Sequence, residues 1–197
     1  MCSVKITLER LRYFSFWLLD YLRGSKLKKN LNNIDYHLKA YNTDKAKLER
    51  CNNLNNLLNH ASKTTIFYNQ YAGFKSLNDF PVINKNTIQN QPENFKSDII
   101  KGKKAKIITT SGSTGAALII EQDKRKIIRN NADTIYFSRK AGFKIGHKLL
   151  YLRHWSTYLK KGKLQSWLQN ISPVEIFDFT DEKLLKYIKK FKTDCST

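Results

Sequence analysis

The sequence predicts an α/β fold, a helical N-terminal region followed by a mixed sheet with flanking helices. Three observations predict it. Through the first hundred positions apolar residues recur at three- and four-residue spacing, the mark of helices with one buried face. From Lys106 onward short β-branched runs alternate with helical stretches, which is α/β order. A polar span, 90–103, separates the two regimes. Residues 1–104 therefore read as a helical lead-in and 105–197 as the α/β portion.

The elements follow in order. Residues 5–23 predict one helix, with Leu8, Leu11, Phe14, Leu18 and Leu22 as its apolar positions and Gly24 as its stop. The basic, Asn-rich stretch 25–42 reads as partly helical and solvent-exposed. Thr43 or Asp44 can cap a helix running to about Ala61, with Leu48, Cys51, Leu54, Leu57, Leu58 and Ala61 as its buried stripe. A short helix from Thr65 to Ala72 ends at Gly73. Ser76 to Phe80 leads into Pro81, and Asn84 caps another short helix through Ile88.

Lys106 to Thr110 and Ala117 to Glu121 read as strands joined by a tight Gly/Ser/Thr loop. Residues 124–141 predict a helix with Ile127, Ile128, Ala132, Ile135 and Phe137 near one face. Leu149 to Leu152 is a strand, Leu164 to Leu168 a helix, and Val174 to Asp178 another strand. Thr180 caps a last helix through Phe191, acidic at its start (Asp181, Glu182) and basic toward its end, which suits the helix dipole.

Composition narrows the function. At 41% hydrophobic residues the chain is globular rather than disordered. Its 36 Lys and Arg against 16 Asp and Glu give a net charge of +20, which invites nucleic acid, anionic lipid or phosphorylated ligands. Yet the lysines run from Lys5 to Lys192 without clustering, as on an ordinary solvated surface, and this disfavours nucleic acid. Cys2, Cys51 and Cys195 form no zinc spacing and no disulfide framework, so a reducing, cytoplasmic setting is expected. The apolar run from Leu11 to Leu22 contains Arg12 and Asp20 and falls short of the about 20 residues that span a bilayer. Docking on the protein's own body is the favoured reading of this helix. Resting on an anionic membrane is the alternative.

The stretch that carries chemistry is Thr109-Thr-Ser-Gly-Ser-Thr-Gly115. Gly112 and Gly115 allow a close backbone approach to a ligand. The hydroxyls of Thr110, Ser111, Ser113 and Thr114, with backbone N–H groups, make a concave set of donors suited to phosphate oxygens. No Gly-Lys-Ser/Thr ending follows, so this is not a Walker loop, and its glycine spacing is not that of a dinucleotide-binding turn. An ordinary hairpin turn has the same composition. His60 reads as a surface or capping residue, and His154 as packing or pocket lining. Lys101, Lys103, Lys104 and Lys106 read as solvated charge.

Thr110 to Gly115 resembles the phosphate loop of adenylate-forming enzymes. The flanking segments resemble the phenylacetate–CoA ligase and capsular-polysaccharide (CapK-type) branch of that family, in the same order. They are Leu57-Leu-Asn-His-Ala61 with Phe67 and Tyr68, Phe80-Pro-Val-Ile-Asn-Lys85, Gly142-Phe-Lys-Ile-Gly146, and Phe177-Asp-Phe-Thr180. Ala117 stands where the family often has Pro, Leu118 where many members have Lys, and His147 where Asp is common. The resemblance implies an ATP- and Mg²⁺-dependent ligase, in which a carboxylate attacks the α-phosphate of ATP to give an acyl-adenylate and pyrophosphate. Coenzyme A or another nucleophile then takes the acyl group. Thr110, Ser111, Gly112, Ser113, Thr114 and Gly115 would hold the β- and γ-phosphates.

The family's ribose, adenine and hinge segments have no counterpart here. The resemblance therefore implies an incomplete sheet, an N-terminal fragment inactive alone, unpaired strand edges with a tendency to self-associate, and a C-terminal half encoded downstream. The competing readings are a basic, non-enzymatic nucleic-acid- or membrane-binding module, and a degenerate remnant.

Overall fold

The computed structural model describes residues 2–100, 105–110, 117–153, 162–176 and 180–195. They form a mixed α/β structure dominated by helix. The elements are α1 (Cys2–Leu22), α2 (Lys26–Lys39), α3 (Asp44–Thr64), α4 (Ile66–Asn69), α5 (Lys85–Asn90), β1 (Lys106–Thr109), β2 (Ile119–Gln122), α6 (Lys124–Lys140), β3 (Leu149–Arg153), α7 (Lys163–Leu168), β4 (Ile171–Glu175) and α8 (Asp181–Cys195). Among the described residues the strands form two separate two-stranded sheets rather than one mixed sheet. β1 and β2 are antiparallel, with Lys106 opposite Gln122; β3 and β4 are parallel, with Leu149 opposite Ile171. By contacts the chain divides into two compact units, Asn30–Ala132 on one hand and Met1–Lys29 with Asp133–Thr197 on the other. The compositional boundary at 104/105 lies inside the first of these.

In the 30–132 unit the helix starts are chemically specified. The Thr43 hydroxyl accepts the N–H of Ala46 at 3.3 Å at the head of α3. The Thr65 hydroxyl accepts the Tyr68 N–H at the head of α4, and Asn84 Oδ1 accepts the Thr87 N–H at 2.9 Å at the head of α5. Each satisfies a donor that the first helical turn leaves without an internal partner. Ser76 and Asp79 form a reciprocal capping box around the 3₁₀ turn Leu77–Asp79. The polar span after residue 90 is not featureless: Pro92–Phe95 and Asp98–Ile100 are 3₁₀ turns.

Burial departs from the sequence reading in two helices of this unit. The stretch 25–42 contributes core: Leu31 and Ile34 of α2 are 3% and 4% exposed. In α3 only Leu58 of the expected stripe is fully buried, together with Ala46 and Ser62, whereas Leu48 is 63% exposed. Ala46 is buried near the start of α3, while Leu58 and Ser62, four residues apart, are buried together near its end. Small residues there permit close packing, a property that a hydrophobicity pattern does not register.

In the other unit α1 turns a different side inward than expected. Asp20 is buried and Glu9, Arg12, Phe16 and Trp17 are half-buried, while Leu11, Phe14, Leu18 and Leu22 are exposed. Polar anchors fix that orientation. Asp20 accepts the N–H groups of Leu27 and Lys28, both at 3.0 Å. The Arg12 guanidinium donates to the Trp167 carbonyl at 3.1 Å and lies over its ring. Helix α6 also differs by one position, since Tyr136 is buried and its neighbour Phe137 is exposed. β4 occupies 171–175 rather than 174–178, and Ile176 is exposed beyond it; residues 177–179 lie outside the described residues.

Candidate functional site

The phosphate-loop candidate is framed by the β1–β2 hairpin. β-branched residues (Ile107, Ile108, Thr109, Ile119, Ile120) make both strands, as suits a pleated, half-exposed ribbon. The ladder closes one step beyond the strands. The Thr110 N–H donates to the Leu118 carbonyl at 3.0 Å, and the Leu118 N–H donates to the Thr110 hydroxyl at 3.1 Å. The Thr110 hydroxyl thus accepts within the hairpin, and a hydroxyl that accepts can also donate its own proton. Of the six candidate residues, Thr110 is described; Ser111, Gly112, Ser113, Thr114 and Gly115 lie outside the described residues, as do Lys101, Lys103, Lys104 and His154. Lys106 opens β1 and is exposed.

Two supports hold the hairpin, and neither was evident from the sequence. Gln89, in α5, donates through Nε2 to the Ala117 carbonyl at 3.2 Å, at the exit of the loop. Lys96 bridges Glu93 at 2.7 Å and Glu121 of β2 at 3.0 Å; its hydrogen bonds to Glu93 and then Glu121 raise the ammonium pKa above the ordinary lysine value. The glutamate in β2 and the lysine some twenty-five positions earlier have no sequence spacing that pairs them.

Within the same unit the aromatic residues around 67–95 form one cluster. Phe67 stacks on Phe95 at 4.3 Å between centroids. Tyr68 meets Phe95 and Phe80, and Phe80 also meets Tyr71 and Phe74. Burial, and secondarily the neighbouring Tyr71, raises the Tyr68 phenol above its ordinary pKa. The cluster is a packing element: it carries the 3₁₀ turn Pro92–Phe95 from which Lys96 reaches β2.

The remaining candidates have structural roles. His60 is exposed, and its carbonyl accepts from the Thr64 hydroxyl at 2.7 Å. His147 accepts the Lys144 N–H on Nδ1 at 3.2 Å and sets its ring edge-on to Phe143, closing the 142–147 turn. The Cys51 thiol is free and exposed. Among the described residues no three His, Cys, Asp or Glu side chains gather as a metal site, and no helix is long and apolar enough to cross a membrane. No family model, curated protein or solved structure matches this chain.

Proposed function

We propose that the 110–115 loop binds the phosphate oxygens of ATP, and that the chain is the N-terminal part of an acyl-adenylate-forming ligase of the phenylacetate–CoA ligase type. The observation that carries this reading is the hairpin itself. A Ser/Thr/Gly loop is spanned between two strands in register and closed by the Thr110–Leu118 pair, so its ends are fixed before any ligand arrives. Fixed ends reduce the entropy lost when loop N–H and O–H groups converge on an anion. Magnesium would arrive with the triphosphate, neutralising part of its charge.

In this reading the loop positions the triphosphate and stabilises charge as the carboxylate of an acid substrate attacks the α-phosphorus. Gln89 and Lys96 act through the hairpin as positioning residues. The acid substrate, coenzyme A as acyl acceptor, and a C-terminal half that completes the site belong to the same proposal. The test is titration calorimetry with Mg·ATP on the chain and on a Gly112→Asp, Gly115→Asp double variant. Binding by the parent that the double variant loses, with folding of both shown by circular dichroism, supports the reading. Absence of binding by the folded parent overturns it.

A further inference from the structure

We propose that α1 is a peripheral membrane anchor that lies along an anionic lipid surface. Its outward side carries Leu11, Phe14, Leu18 and Leu22 at three- and four-residue steps, with Tyr21 beside them. Phe14 is 67% and Leu22 71% exposed. An apolar stripe this long on a 21-residue helix is costly in water and marks an interaction surface. The helix does not span a bilayer, and an amphipathic helix of this kind lies in the interface, with its apolar face among the acyl chains and its cations at the headgroups.

The charges identify the lipid. Residues 1–29 hold seven basic residues against two acidic ones, Glu9 and Asp20. Both acids are turned away from the stripe. Asp20 is buried under the N–H groups of Leu27 and Lys28, and Glu9 accepts the Lys148 N–H at 3.3 Å. Arg10 flanks Phe14 on the helix, while Arg23, Lys28 and Lys29 are exposed at its C-terminal end. The surface offered is apolar and bordered by cations, complementary to anionic headgroups. A second copy of a chain with a net charge of +20 would meet like charge there. Nucleic acid has no use for the leucines.

Vesicle flotation of the full chain tests the proposal, with phosphatidylcholine alone and mixed with phosphatidylglycerol. The chain should float with the mixed vesicles and not with the neutral ones. Phe14→Asp, Leu18→Asp should reduce partitioning at least about tenfold, the loss of two buried apolar side chains. Arg10→Gln and Arg23→Gln should each reduce it about fivefold. Because all four positions are exposed, circular dichroism should show the variants folded. Flotation unchanged by Phe14→Asp, Leu18→Asp would assign binding to diffuse charge and overturn the anchor. So would failure to bind the mixed vesicles, or a parent dimer that the same variant dissociates.

Discussion

Gly146 lies directly against the backbone carbonyl of Glu9. A β-carbon on Gly146 would overlap that oxygen and press on the Tyr13 nitrogen, and the residue also sits at φ +98°. The turn is held from its other side by Asn170, whose Nδ2 donates to the Gly146 carbonyl at 2.9 Å. α1 is thereby seated on the 142–147 turn by backbone contact, which explains how a helix keeps its leucines outward while its polar side is fixed.

A glycine series separates the two penalties. Gly146→Ala meets both a forbidden φ and a backbone clash, and should cost about 2–4 kcal/mol. Gly142→Ala, at φ +87° in open space, should cost only the conformational part, about 1–2 kcal/mol. Gly73→Ala, with open space and no positive φ, should change stability by less than about 1 kcal/mol. Urea denaturation of the three variants checks the order, and an equal effect for Gly146 and Gly142 would remove the role of the Glu9 contact.

The core assignment yields a second contrast. Leu31→Ala and Leu58→Ala remove buried side chains and should cost about 2–5 kcal/mol each. Leu48→Ala and Leu57→Ala, both at exposed positions of α3, should stay within about 0.5 kcal/mol. Thermal melts monitored by circular dichroism distinguish the two pairs.

That contrast also shows what the sequence could convey. Helices and strands were legible because caps, glycines and β-branched runs act locally: Thr43, Thr65, Asn84 and Gly24 all sit where their chemistry predicts. Facing was not. In α1 the leucine stripe is the strongest periodic signal, but Asp20, Arg12 and Gly146 decide which side packs; in α3 the stripe is as clear, yet of its residues only Leu58 is buried, beside the polar Ser62. The 106–122 hairpin was legible for the same local reason as the caps. Its supports from Gln89 and Lys96 were not, because each joins segments separated by a quarter-century of residues or more.

Thr110 offers a test that joins fold to proposed function. Thr110→Val keeps the shape and removes the hydroxyl that accepts the Leu118 N–H. Because that N–H is near solvent, the stability loss should be small, about 0.5–1.5 kcal/mol. Thr110→Ser restores the hydroxyl and should recover most of it. In the proposed site the same hydroxyl donates to phosphate, so Mg·ATP affinity should fall with Val and return with Ser. Calorimetry beside urea denaturation separates the effects: lost stability with unchanged affinity would confine Thr110 to the hairpin.

Asp123 gives the pH dependence. It sits immediately before α6, where Oδ1 accepts the Lys126 N–H at 2.7 Å and Oδ2 the Arg125 Nε–H at 3.0 Å. The backbone hydrogen bond from Lys126, then the side-chain bond from Arg125, hold its carboxyl below the ordinary carboxylate pKa. A folded-state value lower than the unfolded one means that the native state releases the proton more readily. The stabilisation is therefore complete above the ordinary carboxylate range and is lost as pH falls through the depressed folded-state value. Asp123→Asn can still accept a hydrogen bond at a helix start but does not titrate. It should keep most of the neutral-pH stability while flattening this part of the acid limb. Asp123→Ala should lose about 1 kcal/mol at neutral pH and converge with the parent in acid. Denaturation midpoints across the acid range check both variants, and a parent-like acid slope in Asp123→Asn would show that other carboxylates govern it.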